Sequence, residues 1–406
     1  MPPHKVPYED LVAVVKAFEM CSGNVTDAAK KLKLSRTTYR NRLRMAQDQG
    51  VHLACSSEMK IRQLEEQLRG THQELAYARK QNLVTGQIRE FLFGLVENDY
   101  VVPEWTLTIE DREGWAGVPI APWADFHWAE VVRPAEVEYV NEYNLEIAKT
   151  RFRRLIRHTI DLCKNHVRTS VYPGIVVPML GDMVAGELRL EDIATNDLPP
   201  FQTVIDCAKT LEWGLLQLAN FFGNVFVPCV VGNHGRGAGK PWTKQYVWRT
   251  LDWLLYTIIE WRFQQDPCIK IHVFDSEDGT FKVLNHRYKI THGSQFRGGD
   301  GIIGPIGPVF RGDTKKRAWS AQIDRNYDTL ILGHFHQRLP RPQTMMVGSL
   351  KGWDEFCARN NFMYSPPVQG LWFTHPKWGI TNDWPIYVEP PEKPTEPTRK
   401  WVSWEE

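Results

Sequence analysis

Apolar residues in the first fifty positions recur at the spacing of short α-helices. Four of them share one helical face, and these are Leu11, Val14, Val15 and Phe18. The segment Ser22-Gly23-Asn24 ends one helix and starts another, which is predicted over residues 25–32. Ser35 is placed to cap a third, basic helix. This order is the helix-turn-helix pattern, so we predict a small helical domain over residues 1–52.

A helical pattern with a seven-residue period follows this domain. The a and d positions of three heptads are held by Ile61, Leu64, Leu68, Thr71, Leu75, Ala78 and Asn82. Thr71 and Asn82 weaken the apolar seam. We predict that residues 53–98 form a coiled-coil stalk that pairs two chains into a homodimer or higher homo-oligomer. The alternative is an amphipathic helix packed on its own chain.

From residue 99 onward, strand-like apolar runs alternate with helical segments. The runs cover residues 174–180, 225–231, 288–290 and 328–332, and the helical segments cover residues 137–165, 201–222 and 244–265. This alternation predicts an α/β domain over residues 99–388. Such sheets usually place functional residues at the carboxyl ends of their strands. Residues 389–406 are rich in Pro and charge, and we predict a loose tail there.

Composition narrows the class of protein. The net charge of +1 over 406 residues means that any surface for a polyanion must be local. The seven cysteines form no CxxC pair, which favours reduced thiols and a cytoplasmic protein. Residues 1–10 are polar and resemble no signal peptide, and no apolar run approaches the ~20 residues that span a bilayer. We therefore expect no membrane association.

Metal-binding side chains follow the apolar runs at five places. These are Asp125-Phe126-His127, Gly181-Asp182, Gly232-Asn233-His234, Thr291-His292-Gly293 and Gly333-His334-Phe335-His336. Asp125 and His127 are two residues apart, and at the end of a strand the side chains of residues i and i+2 project to the same side, so we expect both to face one cation. Each segment alone is weak evidence, because exposed or core histidines are common. Together they supply oxygen and nitrogen donors for two adjacent divalent cations that share one carboxylate. Such a site indicates hydrolysis of a phosphate ester or a similar electrophile by a metal-bridging hydroxide.

The order D-x-H, G-D, G-N-H, H, G-H-x-H over residues 118–380 resembles the calcineurin-like metallophosphoesterases. The resemblance implies two packed sheets flanked by helices (αββα). It also implies a first metal on Asp125, His127, Asp182 and His336, and a second on Asp182, Asn233, His292 and His334. Asp182 would bridge the metals, and His234 would bind the phosphate and protonate the leaving oxygen. We expect His234 to titrate near pH 6–7, as imidazoles ordinarily do, which suits proton donation. By family habit Mn²⁺ comes first, while the donor set also suits Fe or Zn²⁺.

One position departs from the family pattern. The family usually has Asp or Glu after G-N-H, but Gly235 follows here, and we expect a looser His234. Arg236 or Lys240 could clamp a substrate phosphate, or belong to a flexible basic loop. Arg297 begins a Gly-rich stretch that continues to Lys315-Lys316-Arg317. We interpret this stretch as a cationic lid or groove, with a solvated loop as the alternative.

Residues 22–44, SGNVTDAAKKLKLSRTTYRNRLR, resemble the Fis-type helix-turn-helix that ends many bacterial transcription activators. The resemblance implies that the third helix enters the major groove of DNA. The side chains that would face bases and phosphates are Arg36, Thr37, Thr38, Arg40 and Asn41. Residues 1–52 hold nine Lys and Arg against five Asp and Glu, a net charge of +4. The alternative is a helical module for protein interaction.

Three functions fit these patterns. The preferred one is a metal-dependent DNA nuclease that the helix-turn-helix directs to its substrate, a fusion that suggests a phage or prophage gene. The second is a phosphatase or phosphodiesterase for a small phosphoester or a phosphoprotein, with the helical domain used for assembly. The third is a DNA-binding regulator whose phosphoesterase fold is inert, and the complete set of candidate ligands argues against it.

Overall fold

A computed structural model describes residues 6–48, 102–108, 116–167, 171–188, 190–237, 242–296, 306–341, 343–359 and 362–389. The chain divides into two compact units, Met1–Leu95 and Val96–Glu406. The predicted stalk at residues 53–98 lies outside the described residues. So does the predicted tail from residue 390 onward, whereas Glu389, its first residue, pairs with the buried Arg151.

The first unit contains the three predicted helices. They are α1 (Tyr8–Met20), α2 (Val25–Lys31) and α3 (Arg36–Asp48). Asn24 caps α2 through its side-chain oxygen, and Ser35 Oγ accepts the amide of Thr38, 3.1 Å away, as the pattern predicts. Tyr39 is fully buried between the helices, and its hydroxyl donates to Val14 O at 2.6 Å.

The second unit is built from two sheets and the helices around them. Its described helices are α4 (Leu145–Asp161), α5 (Leu190–Thr195), α6 (Pro200–Phe222), α7 (Leu251–Arg262), α8 (Ile306–Gln322) and α9 (Glu355–Arg359). Its described strands are β1 (Val118–Ile120), β2 (Ile175–Val176), β3 (Val225–Cys229), β4 (Ile269–Val273), β5 (Asp278–Val283), β6 (His286–Thr291), β7 (Thr329–Leu332), β8 (Leu339–Arg341), β9 (Thr344–Met346), β10 (Val368–His375) and β11 (Gly379–Tyr387).

The two sheets have different strand orders. The six-stranded sheet runs β11-β10-β1-β2-β3-β4, and its strands β1 to β4 are parallel. The five-stranded sheet runs β5-β6-β7-β9-β8, with β6, β7 and β9 parallel. Antiparallel strands complete both sheets.

The main core lies between the two sheets. One apolar cluster joins Phe226 and Trp372 of the six-stranded sheet to Phe281, Tyr288 and Ile331 of the five-stranded sheet. Helices α4, α6 and α7 contact the six-stranded sheet, and α8 packs on the five-stranded sheet through a second cluster. This mixed α/β arrangement of two sheets flanked by helices confirms the predicted αββα layers.

Two of the three helices predicted in this unit, over residues 137–165 and 244–265, are shorter in the structure, whereas α6 matches the interval predicted over residues 201–222. The interval predicted over residues 137–165 becomes a 3₁₀ turn, α4 and a final π-helical turn, since Asn144 caps α4 and sets its start. Among the described helices, none combines the length and the apolar character that crossing a bilayer requires. The six described cysteines are all free thiols.

Candidate metal centre

All five candidate segments lie at the same edge of the sandwich. They directly follow β1, β2, β3, β6 and β7, which are parallel within their sheets, so their carboxyl ends point to one side. Asp125, His127, Asp182 and His292 are at least 98% buried. The prediction that strand ends bring these donors together is therefore confirmed.

Glycines let the segments approach each other closely. A Cβ atom on Gly232 would lie 2.2 Å from Asp182 Oδ1, and one on Gly333 would lie 2.6 Å from Asp125 Oδ2. Both distances are too short for atoms that are not bonded to each other. The glycines that precede Asn233 and His334 are thus required by the packing of one loop on the next.

The first group of donors consists of Asp125, His127 and His336. Their ligand atoms all lie within 4.8 Å of one another. The Nε2 atoms of His127 and His336 are 3.1 Å apart, and His336 Nε2 is 3.7 Å from Asp125 Oδ1. The Asp125 carboxylate also accepts the amide of His334, which ties the β1 and β7 loops together.

The second group consists of Asp182, His292 and His334, again within 4.8 Å. His292 Nε2 is 3.0 Å from Asp182 Oδ2 and 3.1 Å from Asn233 Oδ1. The fourth predicted donor, Asn233, therefore lies with the group. Asp182 also reaches toward the first group, because its Oδ2 is 4.0 Å from His127 Nε2.

The oxygen between the two groups fits a metal ligand. Asp182 Oδ2 is buried and makes no well-aligned hydrogen bond with any described residue, although His292 Nε2 at 3.0 Å and His127 Nε2 at 4.0 Å face it. Burying a carboxylate oxygen without a partner is costly. A divalent cation in contact with the oxygen removes that cost, and carboxylate, amide and imidazole donors suit Mn²⁺, Fe or Zn²⁺. The residues present therefore fit a dinuclear centre bridged by Asp182.

Outer contacts turn two imidazoles toward this oxygen. His292 Nδ1 lies 2.9 Å from Leu180 O and donates to it, which turns Nε2 toward Asp182. His127 Nδ1 lies 2.8 Å from Glu130 Oε2, although the ring is not aligned for a linear hydrogen bond. Glu130 is in turn 2.7 Å from the buried ammonium of Lys351, which also pairs with Asp354 at 2.5 Å.

The site concentrates opposing charges in a buried volume. Burial raises the pKa of Asp125 to about 7, and the neighbouring Asp182 carboxylate adds to the rise. Burial lowers the pKa of His292, but Asp182 outweighs it and raises that pKa to about 9. Buried carboxylates thus compete for positive charge at one place, the electrostatic setting that a bound cation relieves.

The backbone of the ligand loops differs from the expectation. The sequence placed Asp125 and His127 at a strand end, where extended residues i and i+2 project to one side. Both residues are instead left-handed, with φ values of 53° for Asp125 and 47° for His127, and φ is also positive at Asp182, His334 and His336. The extended-strand reason was therefore wrong, although the side chains do meet. Left-handed non-glycine residues are strained and cluster at functional sites.

His234 lies beside the first group, with its ring 4.4 Å from that of His127 between centroids. Its backbone amide donates to Asp182 Oδ1 at 2.6 Å, which anchors the backbone of His234 to the second group. The expectation that His234 titrates near pH 6–7 fails. Burial lowers the pKa of His234 to about 4, against the opposing effect of Asp182.

The predicted phosphate-binding residues are only partly described. Arg236 is bridged to Thr250 through its backbone, and its buried Nε has no hydrogen-bond partner among the described residues. Lys240 and Arg297 lie outside the described residues. The basic end of the predicted lid is not free: Lys316 pairs with Asp278 at 2.6 Å, and Arg317 pairs with Asp313 at 2.9 Å. Lys316 thus ties α8 to β5, whereas the Arg317–Asp313 pair lies within α8, and Arg317 also donates to Tyr327 O at 3.1 Å.

The five predicted DNA-contacting residues are all exposed on the first half of α3, and they are Arg36, Thr37, Thr38, Arg40 and Asn41. The buried residues of this helix, Tyr39 and Ala46, face the unit's own core. Thr38 is partly engaged, because its hydroxyl contacts Ser35 Oγ at 2.7 Å.

Sequence reasoning missed the residues that hold the ligands in place. Glu130 and Lys351 act on His127, and Asp252 accepts backbone amides from two ligand loops. Only Glu130 carried a usable signal, since it is an acidic residue three positions after His127 in a buried run.

No protein-family model and no curated protein sequence matches this chain. Among solved structures, it is similar to a dimetal phosphatase from Danio rerio at 10% identity and a TM-score of 0.32, covering 68% of this chain and all of that one. It is also similar to Vps29 from Cryptosporidium parvum, at 13% identity and a TM-score of 0.27 over 66% and 98% of the two chains. A predicted phosphoesterase from Streptococcus pneumoniae matches at 13% identity and a TM-score of 0.24, over 64% and 83%. Similarities this low do not assign a family.

Proposed function

We propose that this chain is a phosphoesterase that depends on two divalent metal ions. The first ion would be held by Asp125, His127, Asp182 and His336, and the second by Asp182, Asn233, His292 and His334. The observation that carries the proposal is the buried Asp182 Oδ2, which has no well-aligned hydrogen bond among the described residues and faces imidazoles from both groups. When bound, two such ions would activate water and neutralise charge on phosphoryl oxygens.

The chain's own residues would bind and orient the ester. His234 stands at the first group with a neutral ring at pH 7, which suits a hydrogen bond to a phosphoryl oxygen. A proton for the leaving oxygen could come from His234 only after the negative phosphate raises its pKa. The buried Nε of Arg236 has no hydrogen-bond partner among the described residues. The guanidinium, two residues after His234, would clamp the phosphate.

The substrate that we propose is DNA. The exposed face of α3 carries Arg36, Arg40 and Asn41 with two threonines, a side-chain set that suits phosphates and base edges. A unit that binds duplex raises the local concentration of phosphodiesters for a second unit on the same chain. Pairing of two chains through residues 53–98 would add a second binding head, and Mn²⁺ is the metal that we would supply first.

Two substrates compared side by side test the proposal. Full-length protein with Mn²⁺ should cleave both DNA and bis(p-nitrophenyl) phosphate, and Asp182→Asn should abolish both activities while leaving DNA binding intact. Cleavage of the small ester without cleavage of plasmid, linear or single-stranded DNA would instead favour an enzyme for small phosphoesters or phosphoproteins. Loss of neither activity in Asp182→Asn would refute the proposed centre.

The division of labour has its own test. Replacing Arg36 and Arg40 with Ala should weaken DNA binding and lower the salt dependence by about two units of slope, because each phosphate contact contributes about one. Hydrolysis of the small ester should not change. The matched control replaces the exposed Lys16 and Lys30, which removes the same charge from α1 and α2. Equal losses in both double variants would show that only net charge matters.

A further inference from the structure

The carboxylate of Asp252 joins two of the ligand loops. Asp252 is fully buried in the first turn of α7, two residues after the capping residue Thr250. Its Oδ2 accepts the amide of Asp182 at 2.9 Å and that of Gly232 at 2.8 Å, while its Oδ1 accepts the amide of Met183 at 3.1 Å. One side chain thus fixes the backbone that carries the bridging oxygen and the backbone that leads to Asn233.

The same carboxylate occupies the space next to Gly235. A Cβ atom on Gly235 would lie 3.4 Å from Asp252 Cγ and 3.1 Å from Asp252 N. The amide of Leu251 donates to Gly235 O at 2.6 Å, so the first turn of α7 is anchored to the loop that carries His234. An acidic residue at position 235 and the present Asp252 would therefore direct their carboxylates into the same space.

We propose that Asp252 is a positioning residue for the second cation. Its carboxylate, which comes from α7, occupies the space that an acidic side chain at position 235 of the loop would fill. This inference rests on the proposed dinuclear centre. Among the described residues, the hydrogen bonds of the Asp252 carboxylate come from backbone amides and not from any candidate ligand atom. It acts by setting the separation of Asp182 Oδ2 and Asn233 Oδ1, both of which lie about 3 Å from His292 Nε2.

The geometry predicts an unequal effect on the two cations. Asp252 holds Asp182, which would serve both cations, and the segment before Asn233, which would serve the second cation alone, whereas Asp125 and His127 are held by other contacts. Replacing a residue that orients metal ligands typically lowers metal affinity by roughly 10–100-fold. We expect that loss for the second Mn²⁺ in Asp252→Ala and a smaller loss for the first.

The experiment measures Mn²⁺ binding by the full chain, by calorimetry and by electron paramagnetic resonance, which detects spin coupling between two neighbouring Mn²⁺ ions. Asp252→Ala should bind the second ion roughly 10–100-fold more weakly and lose the coupled signal at concentrations that saturate the wild type. Adding Gly235→Asp to Asp252→Ala should restore part of both, because it returns a carboxylate to that space. If Asp252→Ala does not fold, Asp252→Asn takes its place, since it keeps the shape but turns an amide donor against a backbone amide.

A matched control separates positioning from general stability. Asp313 is also buried in a helix and accepts hydrogen bonds from Tyr327 and Thr344, none of which is a candidate ligand. Asp313→Ala should lower the free energy of unfolding yet keep both Mn²⁺ ions and the coupled signal. Two bound ions of unchanged affinity in Asp252→Ala, or equal metal losses in both variants, would overturn this inference alone. A wild type that binds no Mn²⁺ would overturn the proposed function as well.

Discussion

The buried ammonium of Lys351 offers a quantitative test of the ion-pair network beside the candidate metal centre. Lys351 is 1% exposed and lies 2.7 Å from Glu130 and 2.5 Å from Asp354. Burial lowers the pKa of Lys351, but these two carboxylates raise it above its ordinary value. Lys351→Met keeps the volume of the side chain but leaves two buried carboxylates without their cation.

The structure sets the size of the effect. Breaking a buried ion pair by removing one partner costs about 3–5 kcal/mol, because the remaining charge stays desolvated. Replacing all charged members together is close to neutral. We therefore expect Lys351→Met to lower the free energy of unfolding by about 3–5 kcal/mol. Adding Glu130→Gln and Asp354→Asn should recover most of that loss.

The assay is urea unfolding followed by tryptophan fluorescence in the presence of a chelator. All 16 tryptophans lie at or beyond residue 105, so the signal reports only the second unit, and the chelator removes any contribution from bound metal. A loss below about 1 kcal/mol in Lys351→Met would contradict the buried network, since that is the size expected for an exposed ion pair. A triple variant less stable than the single one would contradict it too.

Three further predictions concern separate parts of the chain. Burial raises the pKa of Glu260 from 4.5 to about 7, so the native state binds the proton more tightly and the free energy of unfolding falls as the pH rises between those values. Glu260→Gln should therefore stabilise the chain at pH 8 by up to about 3 kcal/mol and much less at pH 4. Thermal unfolding measures this difference, with Glu146→Gln as the control. Gly232→Ala should displace Asp182, whose Oδ1 is 2.2 Å from the added Cβ, and calorimetry should show weaker Mn²⁺ binding. Tyr39→Phe removes the donor to Val14 O and should speed hydrogen exchange in residues 8–48 by a factor that corresponds to about 1 kcal/mol, with no change in the second unit.

The sequence predicts the layers of the second unit and the position of its ligands well. Each ligand segment follows an apolar run, and parallel strands must bring such segments to one edge, which is what β1, β2, β3, β6 and β7 do. The helical bounds are less well predicted, because local caps such as Asn144, which sets the start of α4, are not marked by the apolar pattern. DNA binding and pairing of chains stay predictions.

The support of the site could not be read from the sequence. Asp252 contacts Asp182 across 70 residues of chain and Lys351 contacts Glu130 across 221, and no sequence pattern marks either pair. The left-handed backbone of Asp125 and His127 was also hidden, since nothing in their residue types requires it. The pKa of His234 depends on burial among groups from other loops, so the residue type alone gave the wrong value.

The most direct test of the central claim is a crystal structure of the full chain grown with Mn²⁺, with data collected at the manganese absorption edge. Two anomalous peaks about 3.5–4 Å apart, on either side of Asp182 Oδ2, are the predicted result. Asp182→Asn should lose at least one of them. No peak near Asp182, or peaks that lie away from His127 and His292, would contradict the dinuclear centre.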